Sequence, residues 1–394
     1  MMTNPLFSCK FFEYFESVEN LDLEKDITVS ISQPELVLDG SLSIQEILPH
    51  FHQFNERPKI PFNRKNVDYT VTYKNLQSIN IHKPAALIPA RDSLELLEFT
   101  LSNLNKYKVL DHVLPVLIDD RSKNSNEMKS LADKYNTLYV RVDYNSSTFN
   151  FSVINNAAAA FCHKVGFEDI ILWNSDLWVD SEDVVPYLLE QPRNHKEDDV
   201  WATGVKLLYP TKGFCDLMDD DKFITSLAKD FNTTEQRILD YKPFGSVQFG
   251  GSTYVTTPFF QGHTPIVNSP IHFGRFSDKD SLDLNTNRQV HFMTGAFILC
   301  DTEKFKEIGA LNPSMNSQFQ DVDFCLRLNK SGYKIMFYGK DVHMLHAESM
   351  SLSSKGSTDE GMKSTMDFNV DMLSNQVLYA TIWNKAFSMG ELRI

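Results

Sequence analysis

The sequence predicts an α/β fold in which one β-sheet carries helices on both faces. From about residue 83 onward, short apolar segments of strand character alternate with longer segments of helical spacing. Such alternation is typical of parallel strands joined by helices. The chain also has 29 Phe, 14 Tyr and 4 Trp among 394 residues. These side chains can fill a large core, which excludes a chain that is disordered throughout.

The predicted elements follow in order along the chain. Apolar runs predict strands, and apolar residues three or four positions apart predict helices. The strands are predicted at 85–89, 113–118, 138–142, 170–173, 292–300 and 334–338, and the helices at 93–107, 125–135, 150–165, 302–308 and 321–330. We expect Pro115 to precede the second strand proper, because proline cannot donate a ladder hydrogen bond.

The predicted organisation has three parts. Residues 1–80 form an N-terminal extension with small β elements, at 27–31 and 69–73, where the residues alternate as in strands. Residues 81–350 form the α/β domain, and 351–394 form a C-terminal tail. Within the domain, residues 204–290 read as a long insertion with weak periodicity, rich in Gly, Pro, His and Phe. Long irregular segments usually carry binding roles. We therefore expect this insertion, and above all its aromatic, Gly-rich part at 249–276, to border a binding site and to be more mobile without ligand, with a plain surface insertion as the alternative.

Charge and cysteine content limit the classes of partner. The chain has 38 basic and 52 acidic residues, a net charge of −14, which argues against nucleic-acid binding. A phosphorylated ligand is still compatible with acidic side chains where a divalent cation binds both. Five widely spaced cysteines without a C-x-x-C motif predict no disulfide framework. With no predicted secretory signal or membrane span, we expect a cytoplasmic protein, compatible with peripheral association at the inner face of the membrane.

Polar residues collect where three predicted strands end. Arg91 and Asp92 follow the first strand, Asp119 and Asp120 the second, and Asn174-Ser175-Asp176 the fourth. Each group alone is most simply a helix cap. Strand ends meet at one sheet edge, however, which is where open α/β folds bind ligands. Because clustered carboxylates repel unless a cation or a ligand balances them, this edge is predicted to hold a divalent metal and a nucleotide.

A series of segments in fixed order suggests a family. In chain order they are ALIPAR, VLIDDRS, NFSVINNAAA, ILWNSDLWVD, MTGAFILCDTEKFKEIGALNP, FQDVDFCLRLNKSGYKIMFYG and MLHAES. This series resembles the inverting nucleotide-diphospho-sugar glycosyltransferases of family 2, which have the GT-A fold, from about residue 84 to 351. The resemblance implies a Rossmann-like mixed sheet. It also implies transfer of a sugar from a nucleotide-diphosphate donor to a glycan or lipid-linked acceptor, as in surface polysaccharide synthesis.

The resemblance also implies roles for individual residues. Asp321 matches the catalytic base, and Asp176 and His346 match ligands of a divalent metal, Mn²⁺ or Mg²⁺. The predicted nucleotide residues are Pro89, Arg91, Asp92, Asp120, Asn155 and Asn174. We expect Thr294, Gly295 and Asp323, with the insertion at 204–290, on the acceptor side, since the small residues at 294–295 would let a sugar approach the backbone. The first acid of the D-x-D motif is Asn174 here, as in many family members, so Asp176 carries the anionic coordination. Gln320 stands where the family usually has Glu.

Inverting transfer requires these residue types. The acceptor hydroxyl must lose a proton as it attacks, so one carboxylate must lie within hydrogen-bond reach of it. A metal ion stabilises the charge that grows on the leaving nucleoside diphosphate. Mg²⁺ is usually held by one or two carboxylates and phosphate oxygens, whereas an imidazole ligand favours Mn²⁺.

Two other classes stay open on the sequence alone. A sugar nucleotidyltransferase also combines an α/β sheet with acidic metal ligands, but it usually has a Gly-rich basic loop where this chain has PARD at 89–92. A non-catalytic nucleotide-sugar-binding protein would lack a base, whereas Asp321 is present. The site residues also have structural alternatives, namely charges near a helix N-terminus for the acids and tight strand packing for Thr294 and Gly295.

Overall fold

A computed structural model describes residues 9–38, 62–146, 149–191, 199–258, 266–348 and 374–383, with side chains omitted at 37–38 and 255–269. The strands are β1 (Ile27–Leu38), β2 (Phe62–Lys74), β3 (Ala85–Ala90), β4 (Leu114–Asp120), β5 (Leu138–Tyr144), β6 (Asp169–Trp173), β7 (Leu177–Trp178), β8 (Val200–Val205), β9 (Leu207–Leu208), β10 (Val247–Phe249), β11 (Ser252–Pro258), β12 (Ile266–His272), β13 (Asn287–Val290), β14 (Phe297–Asp301), β15 (Lys334–Tyr338) and β16 (Met344–His346). The helices are α1 (Lys10–Ser17), α2 (Leu94–Lys106), α3 (Ser125–Lys134), α4 (Phe151–Val165), α5 (Val184–Glu190), α6 (Asp220–Asp230), α7 (Glu235–Asp240), α8 (Thr302–Glu307) and α9 (Gln320–Lys330), followed by α10 (374–383).

A mixed ten-stranded sheet forms the centre of the molecule, in the order β1-β2-β5-β4-β3-β6-β14-β8-β15-β13. The strands β5, β4, β3 and β6 run parallel, whereas β14 is antiparallel to both of its neighbours. The α/β class with a mixed sheet, predicted from the sequence, is therefore confirmed.

The direction in which the chain crosses this sheet reverses next to β3. The chain moves from β3 to β4 to β5 on one side and then returns to β6 on the other side of β3. Right-handed crossovers then place α2 and α3 on one face and α4 on the opposite face. Loops at the carboxyl ends of β3 and β6 thus flank a topological switch point, the usual ligand site of such sheets.

Helix α4 shows how the core positions this edge. Its Ala157–Ala160 run is fully buried, and small side chains let the helix lie close to β3 and β4. Asn150 caps its first turn by accepting from the Val153 amide, and Gly166 ends it with φ 98° in the left-handed region. The helix therefore begins and ends where its sequence predicts.

The N-terminal strands differ from the prediction of small, separate β elements. β1 and β2 are 12 and 13 residues long, and β2 pairs with β5. They extend the central sheet, because the alternating residues continue well beyond the predicted pieces at 27–31 and 69–73. The domain boundary at residue 80 stays a prediction, but it falls inside one sheet.

Pro115 is a second difference, since it lies within β4. The amide of Leu114 donates to Pro84 on the β3 side, so the backbone nitrogen at 115 points to the β5 side. Pairing with β5 begins only at Val116. The proline therefore removes no ladder hydrogen bond.

Residues 204–290 contain more regular structure than their weak periodicity predicts. They include α6, α7 and the β11–β12 hairpin. Buried side chains such as Leu208, Phe223, Leu227 and Val247 form a second hydrophobic cluster there. The segment is thus a small packed layer rather than a long loop. Among the described residues, no helix combines the length and apolarity needed to cross a membrane.

Candidate functional site

The candidate site lies at the sheet edge where β3, β4 and β6 end. β14 begins at the same edge, because Phe297 is paired with Trp173 at the end of antiparallel β6. The segment Thr294–Ala296 leads into β14, so it reaches the edge beside the turn that follows β6. Residues separated by more than a hundred positions in the chain meet here.

One polar cluster contains Asn174, Asp176 and His346. The Nε2 atom of His346 lies 3.3 Å from Asp176 Oδ1 and 3.4 Å from Asn174 Nδ2. The pairing of β7 with β16 sets this arrangement, with His346 opposite Leu177 and the Ala347 amide donating to the Asp176 carbonyl. The two predicted metal ligands are thus brought together and nearly buried, at 3% and 5% exposed.

The donor set fits a metal that is shared with a phosphorylated ligand. Within the described ranges, no group of three or more His, Cys, Asp or Glu residues is arranged to hold a metal. One carboxylate and one imidazole would leave positions for phosphate oxygens, as Mg²⁺ sites in nucleotide enzymes do. Among the described residues, the Nδ1 atom of His346 is also buried without a hydrogen-bond partner, a cost that a bound ligand or water would remove.

The candidate base lies on the other side of Thr294–Ala296. Asp321, in the first turn of α9, accepts hydrogen bonds from the Gly295 amide at 2.6 Å and the Val322 amide at 2.8 Å. Burial raises the pKa of the Asp321 carboxyl above its usual value, and these two amides oppose the shift. A Cβ at position 295 would lie 3.3 Å from the Cβ of Asp321, a tight contact that glycine avoids.

The Thr294–Ala296 segment links the two polar groups. The backbone amide of Gly295 donates to Asp321. The backbone carbonyl of Ala296 accepts from the backbone amide of Asn174 at 3.0 Å. Thr294 is 9% exposed. The predicted acceptor residues Thr294 and Gly295 therefore lie between the predicted base and the predicted metal ligands.

The predicted nucleotide residues lie at the ends of β3 and β4. Pro89 is part of β3, and the loop beyond it is fastened by Asp92, which accepts from the Lys123 amide at 2.7 Å. Asp120 is fully buried and faces Arg121 at 3.0 Å and Arg91 at 3.8 Å. Burial raises the pKa of Asp120, and the guanidinium of Arg121 opposes that shift. Two arginine side chains thus contact the Asp120 carboxylate, which the resemblance assigns to nucleotide binding.

Two assigned residues lie in the interior of the protein. Asp323 is fully buried, pairs with Arg327 at 2.9 Å and accepts from the Trp383 indole, and its predicted role on the acceptor side stays a prediction. It points into the core because it lies two positions along the helix from Asp321. Asn155 is also fully buried, and its amide donates to the Phe151 carbonyl one turn earlier at 2.8 Å. It is part of the interior of α4 and not of the strand ends.

A network next to His346 was not predicted from the sequence. Glu348 accepts from Arg275 through both oxygens, at 3.1 and 3.0 Å, and from the Tyr209 hydroxyl at 2.8 Å. Burial would raise the pKa of Glu348, but Arg275 lowers it to about 2. Arg275 also contacts His272 at 2.6 Å. The sequence shows an acid, Glu348, two residues after His346, but no local pattern indicates that Arg275 forms an ion pair with it.

The segment 249–276, predicted to border the acceptor, begins close to Thr294. The Ser252 hydroxyl accepts from the Phe292 amide at 3.1 Å, and the rings of Tyr254 and Phe292 lie 5.6 Å apart. Residues 259–265 of this segment lie outside the described residues. Its predicted mobility in the absence of ligand stays a prediction.

Comparison by sequence gives one distant relative. No protein-family model matches the chain. The uncharacterized protein y4gI of Sinorhizobium fredii (strain NBRC 101917 / NGR234) is 24% identical over 249 residues, which make up 63% of this chain and 22% of that protein. This chain therefore spans only about a fifth of the length of that relative.

Comparison by structure gives several solved proteins at 12% identity. GalNAc-T7 with UDP, GalNAc and Mn²⁺ aligns with a TM-score of 0.42 over 67% of this chain and 43% of that chain. S. aureus TarS aligns at 0.38, over 78% and 72%. A mutant of Drosophila β1,4-galactosyltransferase 7 in complex with manganese, UDP-Gal and xylobiose aligns at 0.33, over 67% and 70%. With TM-scores below 0.5, no site residue is assigned to this chain from these proteins.

Proposed function

We propose that this chain is a glycosyltransferase that moves a sugar from a nucleoside-diphosphate donor to a hydroxyl group of a glycan or lipid-linked acceptor, with inversion at the anomeric carbon. The proposal combines the order of segments that resembles family 2 with the placement of their polar residues. A divalent metal, Mn²⁺ or Mg²⁺, is part of the proposal.

One observation carries the proposal. In the Thr294–Ala296 segment, the backbone amide of Gly295 donates to the Asp321 carboxylate. The backbone carbonyl of Ala296 accepts from the backbone amide of Asn174. A hydroxyl-bearing substrate beside this segment would therefore have a carboxylate on one side and the Asp176–His346 pair on the other. A single displacement requires a base near the acceptor oxygen and stabilisation of charge near the leaving group.

In the proposed reaction, Asp321 accepts the proton of the acceptor hydroxyl. The acceptor oxygen then forms a bond to the anomeric carbon while the bond from that carbon to the phosphate oxygen breaks. A buried carboxylate with a raised pKa is a stronger base than an exposed one. The amides of Gly295 and Val322 orient it, so the free oxygen lone pairs have a defined direction.

Asp176 and His346 would hold the metal, and Asn174 would help to orient them. When bound, such a metal supplies Lewis-acid stabilisation of the leaving diphosphate. Arg91 and Arg121 lie at the ends of β3 and β4 and provide positive charge near the same edge. We propose that they contact the donor, together with Asp120 and the loop fastened by Asp92.

A thermal-shift panel of nucleoside diphosphates and nucleotide sugars, each with and without Mn²⁺, tests this proposal. A ligand at about 100 times its Kd should add about 2.7 kcal/mol to the free energy of unfolding. We expect stabilisation only when nucleotide and metal are both present. A shift with nucleoside triphosphates together with pyrophosphate release would favour a nucleotidyltransferase.

The second step separates catalysis from binding. Donors that stabilise the protein are incubated with a mixture of glycan and lipid-linked acceptors, and released nucleoside diphosphate is measured. Donor binding without transfer or donor hydrolysis under all conditions would favour the non-catalytic alternative. No stabilisation by any nucleotide would contradict the proposed function altogether.

A further inference from the structure

We infer that helix α10 positions the carboxylate of Asp321, although this helix lies outside the segments that resemble the family. The role of Asp321 as a general base rests on the proposed function, whereas the contacts of α10 described below do not. Asn375, Tyr379 and Trp383 are spaced four residues apart, so they lie on one face of α10. That face runs along the segment 316–323, which contains Asp321 near its end.

Both ends of that segment are hydrogen-bonded to α10. The side-chain amide of Asn375 lies 2.8 Å from Asn316 Oδ1. At the other end, the Trp383 indole donates to Asp323 Oδ1 at 2.9 Å. Asn375 and Trp383 are 1% and 3% exposed. Asp321 is thus bracketed by two buried contacts to the same helix.

The middle contact supports an unusual backbone conformation. Phe319, the residue before α9, has φ 63° in the left-handed region, where a side chain with a Cβ is strained. Such conformations persist only where the surroundings hold them. The ring of Tyr379 stacks on Phe319 with a centroid distance of 4.8 Å and an angle of 23°. The turn that aims the start of α9 therefore depends on Tyr379.

The rotation of α9 about its axis is fixed by the same helix. Asp323 binds Arg327 through Oδ2 and Trp383 through Oδ1. Arg327 in turn donates to the Ile308 and Ala310 carbonyls. Asp321 lies in the same helical turn as Asp323, so a change in this network would turn the Asp321 carboxylate away from Gly295.

The amide of Gly295 reports the position of Asp321 without any need for activity. It donates to Asp321 Oδ2, so its hydrogen exchange should become faster when that carboxylate moves. We expect Tyr379→Ala to increase this exchange and to lower kcat by roughly a hundredfold, as a displacement of about 1 Å can do. The KM for donor and metal-supported nucleotide binding should stay unchanged. Tyr379→Phe keeps the ring and should restore both readouts.

Thr381→Ala is the matched control in the same helix. Its hydroxyl donates to the Val377 carbonyl within α10, so neither exchange at Gly295 nor kcat should change. Trp383→Phe removes only the indole donor to Asp323, and it carries the test if Tyr379→Ala does not fold. It should change the same two readouts in the same direction, by a smaller factor.

Three outcomes decide the inference. Unchanged exchange at Gly295 together with unchanged kcat in both variants would overturn it. A rise in the donor KM that matches the loss of kcat would overturn it as well, because this indicates general loosening. Faster exchange at Gly295 in a protein that transfers no sugar even as wild type would support the positioning role and contradict the proposed function instead.

Discussion

Acids at the end of β4 and the acid at the start of α9 lie at one sheet edge but in opposite surroundings. Asp119 pairs with Arg141 at 2.8 Å, and Asp120 faces Arg121 at 3.0 Å. Asp321 accepts hydrogen bonds only from backbone amides in the described part of the chain. Arginine side chains balance the acids at the end of β4, whereas Asp321 is contacted by neutral backbone amides.

This difference separates acids that form the frame from acids that can react. Guanidinium groups contact the carboxylate oxygens of Asp119 and Asp120, and Arg121 opposes the rise that burial causes in the pKa of Asp120. Among the described residues no cation opposes the raised pKa of Asp321, so this carboxylate takes a proton more readily. The contrast supports the proposal that Asp321 is the reactive acid, with Asp119 as a structural one.

The largest effect should come from removing the reactive acid. We expect Asp321→Asn to lower kcat by about 10²–10⁴-fold, the usual contribution of a general base, while donor affinity is retained. Transfer rate and donor affinity are measured on the same purified variant, with the exposed acid variant Asp183→Asn as control. Near-normal transfer would remove Asp321 from the mechanism, and lost donor binding would place it among the nucleotide or metal contacts.

The next effect concerns the Asp176–His346 pair. We expect Asp176→Ala to weaken metal-supported nucleotide binding by about a hundredfold, since even the outer partners of metal ligands contribute about 10–100-fold. Titration calorimetry with a nucleoside diphosphate, with and without Mn²⁺, measures this. Unchanged Mn²⁺-dependent binding in the variant would rule out Asp176 as a ligand.

The frame acid should show the reverse behaviour. We expect Asp119→Ala to lower the free energy of unfolding by about 3 kcal/mol, because it removes the buried carboxylate that pairs with Arg141 and accepts from the Tyr139 hydroxyl. Arg141 keeps Asp143 as a partner at 2.8 Å, so the loss should lie at the lower end of the usual range. Denaturant unfolding measures the free energy of unfolding of Asp119→Ala and of Asp321→Asn. Equal losses of stability in the two variants would contradict the contrast between the two regions.

The smallest effect is a pH dependence of stability. Burial raises the folded-state pKa of Asp321 above 3.8, so its ionisation destabilises the folded state as the pH rises through that pKa. Below the unfolded value the carboxyl is protonated in both states and this cost disappears. The stability of Asp321→Asn relative to wild type should therefore increase from low to neutral pH. A difference that is flat or falls with pH contradicts the raised pKa.

Local patterns were sufficient to predict most of the central sheet. The last predicted strand coincides with β15 at Lys334–Tyr338, because an apolar run between a Ser-Gly turn and a polar loop has few alternatives. The place of β1 and β2 was not predictable, since β2 pairs with β5 across about seventy positions and β1 joins the sheet through β2. The helices within 204–290 were also missed, because they are short and pack in a separate cluster.

The site was partly predictable for a different reason. The order of the segments predicted which residues share the edge, and the structure brings Asp321 to Gly295 and Asp176 to His346. The contacts of Asp323 were not predictable, because its partner Trp383 lies sixty residues away in a polar tail. Asp321 and Asp323 are the same residue type, and only their neighbours in the folded structure distinguish a candidate reactive acid from a structural one.

The position of β14 has a consequence for the order in which the molecule can assemble. This strand is inserted between β6 and β8, although β8 is synthesised about ninety residues earlier. During synthesis, β1 to β6 can complete their mutual pairing once β6 has emerged, because all of their partners except β14 lie within this stretch. β8 must wait until residue 301 has left the ribosome. Asp321, His346 and α10 follow later still, so a nascent chain would form the proposed nucleotide side before the proposed catalytic side.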